Sequence, residues 1–164
     1  MIKKSDLKNI EFLQCLTDEM LEKLLPITEA LEVKSHEIIF NEGDPAENIY
    51  LLKSGHVLLE KKISNDILVN VCAIDPGEAF GLSVLLDKEA CSTAAICNEA
   101  ATLFVINRNS LLKLMEEDQS MGYMLMKYTA KVLNQMCVRR TEQLIRTIKC
   151  HPDINALEVM NPTT

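Results

Sequence analysis

With 164 residues, 48% of them apolar, and a formal charge of −7, the chain is long enough to bury one core and too apolar to be disordered. The acidic balance argues against nucleic-acid binding by the surface as a whole. No window reaches 18 consecutive apolar residues, and the opening MIKKSDLKNIEF lacks the apolar run of a secretory leader, so a cytoplasmic protein with no membrane span is expected.

Residues 5 to 30 read as helix. Ser5 is a candidate N-cap, and Thr17 followed by Asp18 and Glu19 opens a second helical unit with acidic residues in its first turn. Pro26 predicts a break. From Ala30 the period shortens. Leu31–Val33, Glu37–Phe40, Asn48–Leu52, His56–Lys62, Ile67–Ile74 and Ala101–Ile106 read as short strands, separated by Gly, Pro or Asn turns. Such spacing predicts an antiparallel sandwich, jelly roll or barrel.

Between the strands and the C-terminal helices lies Pro76–Cys97: two glycines (Gly77, Gly81), an apolar turn over Leu82–Leu86, a charged tip at Asp87–Glu89 and a small-residue strand over Ser92–Cys97. Free backbone N–H groups in the turn after Gly81 form a candidate anion or ligand pocket. Ser110 is a candidate cap for a helix over Leu111–Glu116, and a long helix is predicted from about Gln119 to Ile148. This helix has two apolar stripes: Met121, Leu125, Tyr128 and Val132, and Met126, Ala130, Leu133, Cys137, Leu144 and Ile148. The second stripe predicts a homodimer through this helix. Residues 127 to 149 carry a charge of +5 against −12 for the rest. Residues 151 to 164 read as a loosely held tail after a domain over 1 to 150.

The six cysteines (Cys15, Cys72, Cys91, Cys97, Cys137, Cys150) include no C-x2-C pair and are expected as reduced thiols, with no N-terminal cluster for an iron–sulfur centre. Three histidines with no H-x-H pair, and the lack of G-x-S-x-G, H-E-x-x-H and P-loop motifs, predict a chain that is not an enzyme.

Three segments resemble a known family. Ile39-Phe40-x-Glu42-Gly43-Asp44-Pro45-Ala46, Ile49-Tyr50-Leu51-Leu52-x-Ser54-Gly55-x-Val57 and Pro76-Gly77-Glu78-x-Phe80-Gly81 are similar, in order and spacing, to motifs of the cyclic-nucleotide-binding domain of catabolite-activator (Crp/Fnr) regulators. The resemblance covers about residues 5 to 148. It implies a mainly β fold, an antiparallel jelly-roll barrel with N-terminal helices and a long C-terminal helix. It also implies a ligand site at Phe80, Gly81, Leu82, Ser83, Ser92, Thr93 and Ala94.

In that family a glutamate after the cassette glycine accepts from the ribose 2′-hydroxyl, and an arginine near the cassette end pairs with the cyclic phosphate. Here those positions hold Leu82 and Ser92, or Cys91 with a one-residue shift. Losing the cationic partner of a buried phosphate costs on the order of 2–5 kcal/mol. Lys88 is the one basic side chain inside the stretch, at the loop tip. The resemblance thus implies a non-catalytic sensor or regulatory module that binds a small effector, its cofactor unknown, and signals through its C-terminal helix. The alternatives are a degenerate, ligand-free dimerisation or docking domain, or a true cAMP or cGMP binder using backbone amides. A haem sensor is also open, with His36, His56, His151 or a cysteine as ligand, although His36 and His56 lie beside turns and are expected to face solvent. The winged helix-turn-helix that follows the long helix in the regulators is not expected in this chain.

Overall fold

The computed structural model describes residues 2–64, 67–86 and 90–150. The tip at 87–89, the Asn65–Asp66 turn, the tail and His151 lie outside the described residues. The first helix is shorter than its pattern suggests. Helix α1 spans Lys4–Lys8 with Lys3, not Ser5, at its N-cap, and the Lys3 N–H donates to the Asp6 carboxylate at 3.0 Å. The chain then leaves helical geometry for a 3-10 turn over Glu11–Leu13, whose Glu11 N–H donates to the Gly77 carbonyl at 2.8 Å. A tertiary bond here replaces continued helix. Helix α2, Asp18–Leu24, starts as predicted: the Thr17 hydroxyl accepts from the Met20 N–H at 3.3 Å. Pro26 ends it in a 3-10 turn over Leu25–Ile27.

Eight strands follow: β1 Thr28–Val33, β2 Ile38–Phe40, β3 Asn48–Ser54, β4 Val57–Ser64, β5 Ile67–Ile74, β6 Ala79–Phe80, β7 Ala94–Cys97 and β8 Ala101–Asn107. They pair antiparallel in two four-stranded sheets, ordered β1-β8-β3-β6 and β2-β7-β4-β5. The arrangement is the antiparallel jelly roll that the resemblance implied, built as two facing sheets. Alternation explains the sandwich: Leu52 and Leu103 of one sheet meet Val57, Leu59, Ala95 and Cys97 of the other in one buried cluster. Ile49, Leu51, Phe104 and Ile106 are also fully buried, so the first sheet is covered on both faces. Leu7, Phe12, Leu13, Leu21 and Leu24 from the N-terminal segment are buried as well. Lys53 of β3 ties the layers, with its ammonium 3.2 Å from Asp6 and 5.5 Å above the Phe104 ring.

The second sheet is covered less. Ile38, Ile67, Leu68 and Val69 on it are exposed. A register shift in the β4–β5 ladder, between Leu59 and Glu60, marks where the hairpin leaves the sandwich.

Helix α3 spans Arg108–Glu117 and is capped by Asn107 rather than Ser110. The Asn107 Oδ1 atom accepts from the N–H groups of Asn109 (3.0 Å) and Ser110 (3.4 Å), so the helix begins three residues earlier than expected. Helix α4 spans Gln119–Lys149. The Asp118 carboxylate accepts from the Met121 N–H at 3.1 Å and pairs with Lys23 at 2.6 Å. The chain divides into two compact units, 1–126 and 127–164. In the first, Met121 and Leu125 are fully buried. In the second, Val138, Leu144, Ile145 and Ile148 are exposed, as is Cys137.

Candidate functional site

The expected ligand residues fall on two flanks of one loop. The upstream flank is Phe80-Gly81-Leu82-Ser83. Phe80 ends β6 and pairs with Tyr50 of β3. Gly81 has φ +76°, and a Cβ there would lie 2.9 Å from the Asn48 carbonyl and 3.4 Å from the Tyr50 ring. Glycine is therefore required by the neighbouring strand. The apolar turn is a 3-10 segment over Leu82–Leu86, as its sequence predicts, with Leu82, Val84 and Leu85 buried. Leu82 is only 4% exposed. The residue expected at the ribose-acceptor position is thus a packing residue, with no polar side-chain atom to offer.

The downstream flank is Cys91-Ser92-Thr93-Ala94, held in another way. Cys91 exchanges two backbone bonds with the β2–β3 turn: Gly43 N–H to the Cys91 carbonyl and Cys91 N–H to the Asp44 carbonyl, both 2.9 Å. Pro45 and Ala90 form a further antiparallel bridge. The turn is itself locked, because the Asp44 carboxylate accepts from the Asn41 N–H at 2.6 Å. Ser92 is exposed and Thr93 half-buried. Ala94 pairs with Glu60 and lines a groove of about 640 Å³ with Ile38, Glu42, Glu60, Lys62, Leu68 and Ile96. Ala95, its neighbour, is fully buried in the cluster between the sheets, so alternation turns Ala94 away from that interior.

Two features of this place were not read from the sequence. The first is aromatic. The chain has four Phe, three Tyr and no Trp, and three of these seven rings meet here. Phe40 lies 5.4 Å from Tyr50 and 6.2 Å from Phe80, and Tyr50 stacks on Phe80 at 5.1 Å with 13° between planes. Tyr50 packs against Gly81 of the upstream flank, and burial pushes its hydroxyl above its usual range. The signal available was the pattern of Phe40 and Tyr50 bracketing a Gly-Asp-Pro turn, each at an alternating strand position.

The second feature is a cation. Lys61 follows Val57 and Leu59 in the same alternate row of β4, and its ammonium donates to the Ser92 carbonyl at 3.0 Å. It therefore lies beside Ser92, one of the two residues expected at the family's arginine position. It also forms an ion pair with Glu42, and that hydrogen bond, ahead of any other cause, holds the Glu42 carboxyl below its ordinary range. Lys61 was invisible to a motif reading because it comes from a strand some 30 residues upstream.

Among the described residues the histidines do not gather at this site. His36 is exposed with φ +65°. His56 is half-buried, contrary to expectation, and its Nε2 atom sits 3.4 Å from the Asp75 carboxylate. Among the described residues no group of three His, Cys, Asp or Glu is placed to hold a metal ion, and no helix is long and apolar enough to cross a membrane.

Residues 30–118, more than half of the chain, match the family model described as cyclic nucleotide-binding domain. The anaerobic regulatory protein of Bacillus subtilis is 25% identical over 145 residues, which are 87% of this chain and 58% of that protein. The chain thus spans less than two thirds of that relative's length. Among solved structures, a putative cyclic nucleotide-binding protein of Geobacter metallireducens is 28% identical, with a TM-score of 0.73 over 84% of this chain and 99% of the other. The catabolite activator protein of Thermus thermophilus has the same fold at 22% identity, with a TM-score of 0.69 over 85% of this chain and 63% of that one. With its two-sheet jelly roll, its cassette between β6 and β7 and these matches, the chain belongs to the cyclic nucleotide-binding domain family.

Proposed function

We propose that the chain is a non-catalytic, cytoplasmic sensor module in which the cassette between β6 and β7 takes a small effector and the state of that site is passed on through α4. The site comprises Phe80, Gly81, Leu82, Ser83, Ser92, Thr93 and Ala94, to which Phe40, Tyr50 and Lys61 are added. The carrying observation is the three-ring cluster of Phe40, Tyr50 and Phe80 beside a cassette with no ribose acceptor at Leu82. Aromatic faces favour a planar or apolar ligand. The regulatory role accords with the Bacillus relative, a regulator by name.

The exposed Leu144, Ile145 and Ile148 give α4 an apolar face, and we assign it to a second copy of the chain, in line with the stripe read from the sequence. A ligand-free docking role is the second reading. It is favoured by the density of apolar side chains already at the cassette, with Phe80, Leu82, Val84 and Leu85 all buried.

Native mass spectrometry of the purified chain tests both parts. The expected spectrum shows a dimer carrying a small molecule without a phosphate. An unliganded monomer would overturn the sensor reading and the dimer together, and an unliganded dimer would leave the docking role.

A further inference from the structure

The Lys61–Glu42 pair answers a question that the missing arginine raises. The downstream flank does have a cation, but it arrives with its own counter-ion. Lys61 of β4 reaches the Ser92 carbonyl at 3.0 Å. Glu42, from the β2–β3 turn, takes the remaining charge. That turn is fixed to the same flank by the paired backbone bonds between Gly43, Asp44 and Cys91. The carboxylate is thus carried on a turn whose backbone is bonded to the downstream flank. An anion approaching Ser92 meets a neutral pair, and to gain the ammonium it must displace a carboxylate anchored on the same frame.

We propose that the Lys61–Glu42 pair is a charge filter that sets the effector class: the site admits uncharged or zwitterionic planar compounds and discriminates against anions such as a cyclic phosphate. This rests on the sensor reading above and deepens it. Glu42 and Lys61 are specificity-determining residues, one quenching the other. Their side chains are 38% and 45% exposed, so the filter works by local charge and not by buried strain, and either residue can be replaced without emptying the core.

NMR titrations of the isotope-labelled full chain with cAMP, and with adenosine as the probe that shares base and sugar but lacks phosphate, test this. In wild type, adenosine is expected to bind at least as well as cAMP. Glu42→Gln leaves Lys61 unneutralised, and cAMP affinity is expected to rise about tenfold while adenosine affinity stays level. In the double variant Glu42→Gln/Lys61→Met the gain is expected to vanish.

An unchanged cAMP affinity in Glu42→Gln would overturn the filter. So would a gain that survives the loss of Lys61. If cAMP and adenosine bind every variant with one affinity each, the filter fails and the sensor reading stands. If neither perturbs any variant at the cassette, the sensor reading itself fails and takes the filter with it. The amide spectra of the same samples show whether each variant is folded.

Discussion

The two flanks of the cassette are built by different physics. Upstream, Gly81 and Leu82 are fixed by close packing: a backbone conformation only glycine tolerates easily, pressed on Asn48, then a turn with three buried apolar residues. Downstream, Cys91 and Ser92 are fixed by hydrogen bonds and charge, with two backbone bonds to the β2–β3 turn and the Lys61 ammonium on the Ser92 carbonyl. The packed flank contributes stability and little recognition. The polar flank contributes little stability, because its charges are exposed, and under the proposed filter its role is to set which ligand charge the loop tolerates.

That contrast predicts a steep gradient of mutational effects. Leu82→Glu restores the family's ribose acceptor but places a carboxylate at a position 4% exposed. It is expected to cost on the order of 3–5 kcal/mol, read as a large drop in denaturant midpoint, whereas Leu82→Met costs under about 1.5 kcal/mol. A Leu82→Glu variant as stable as wild type would show that the upstream flank is not a packing element. Gly81→Ala is next. With φ +76° and a Cβ 2.9 Å from the Asn48 carbonyl, a loss of about 2 kcal/mol is expected from the same measurement.

Lys61→Met lies at the other end. The pair is exposed on both sides, so the melting temperature is expected to stay close to wild type in ordinary salt. A marked fall would make Lys61 a structural clamp. The smallest effect is that of pH. Hydrogen bonds from Lys61 and Lys23 hold the Glu42 and Asp118 carboxyls below their ordinary values of 4.5 and 3.8. A depressed carboxylate stabilises the fold above its unfolded pKa, and that contribution is lost as pH falls through the folded value. Stability should therefore be level near neutrality and decline gently below the ordinary carboxylate range. The decline should become shallower in Glu42→Gln. An unchanged slope would remove Glu42 from the account.

The same contrast explains what the sequence could reveal. Local physics was legible: the Thr17 cap, the break at Pro26, the apolar turn over Leu82–Leu86 and most strands follow from side-chain type and period. Helix starts were less so. Ser5 and Ser110 are plausible caps by type, but both helices start earlier, where Asp6 accepts from the Lys3 N–H and Asn107 from those of Asn109 and Ser110, and several polar side chains compete for each helix start. The motif order carried the family and the upstream flank. The downstream flank was legible only as a lack of arginine. Lys61 and the turn carrying Glu42 reach it through strand pairing and turn packing, across separations that no local pattern encodes.

The central claim is that the cassette, as it stands, gives no net positive charge to an anionic ligand. Thermal melting of the full chain with and without about 1 mM cAMP tests it most directly, since a ligand at a hundred times its Kd adds about 2.7 kcal/mol. The account predicts a shift of less than about one degree, where such binding would give several. A rise of several degrees, abolished by Lys61→Met, would show that Lys61 serves the phosphate despite Glu42 and would contradict the claim.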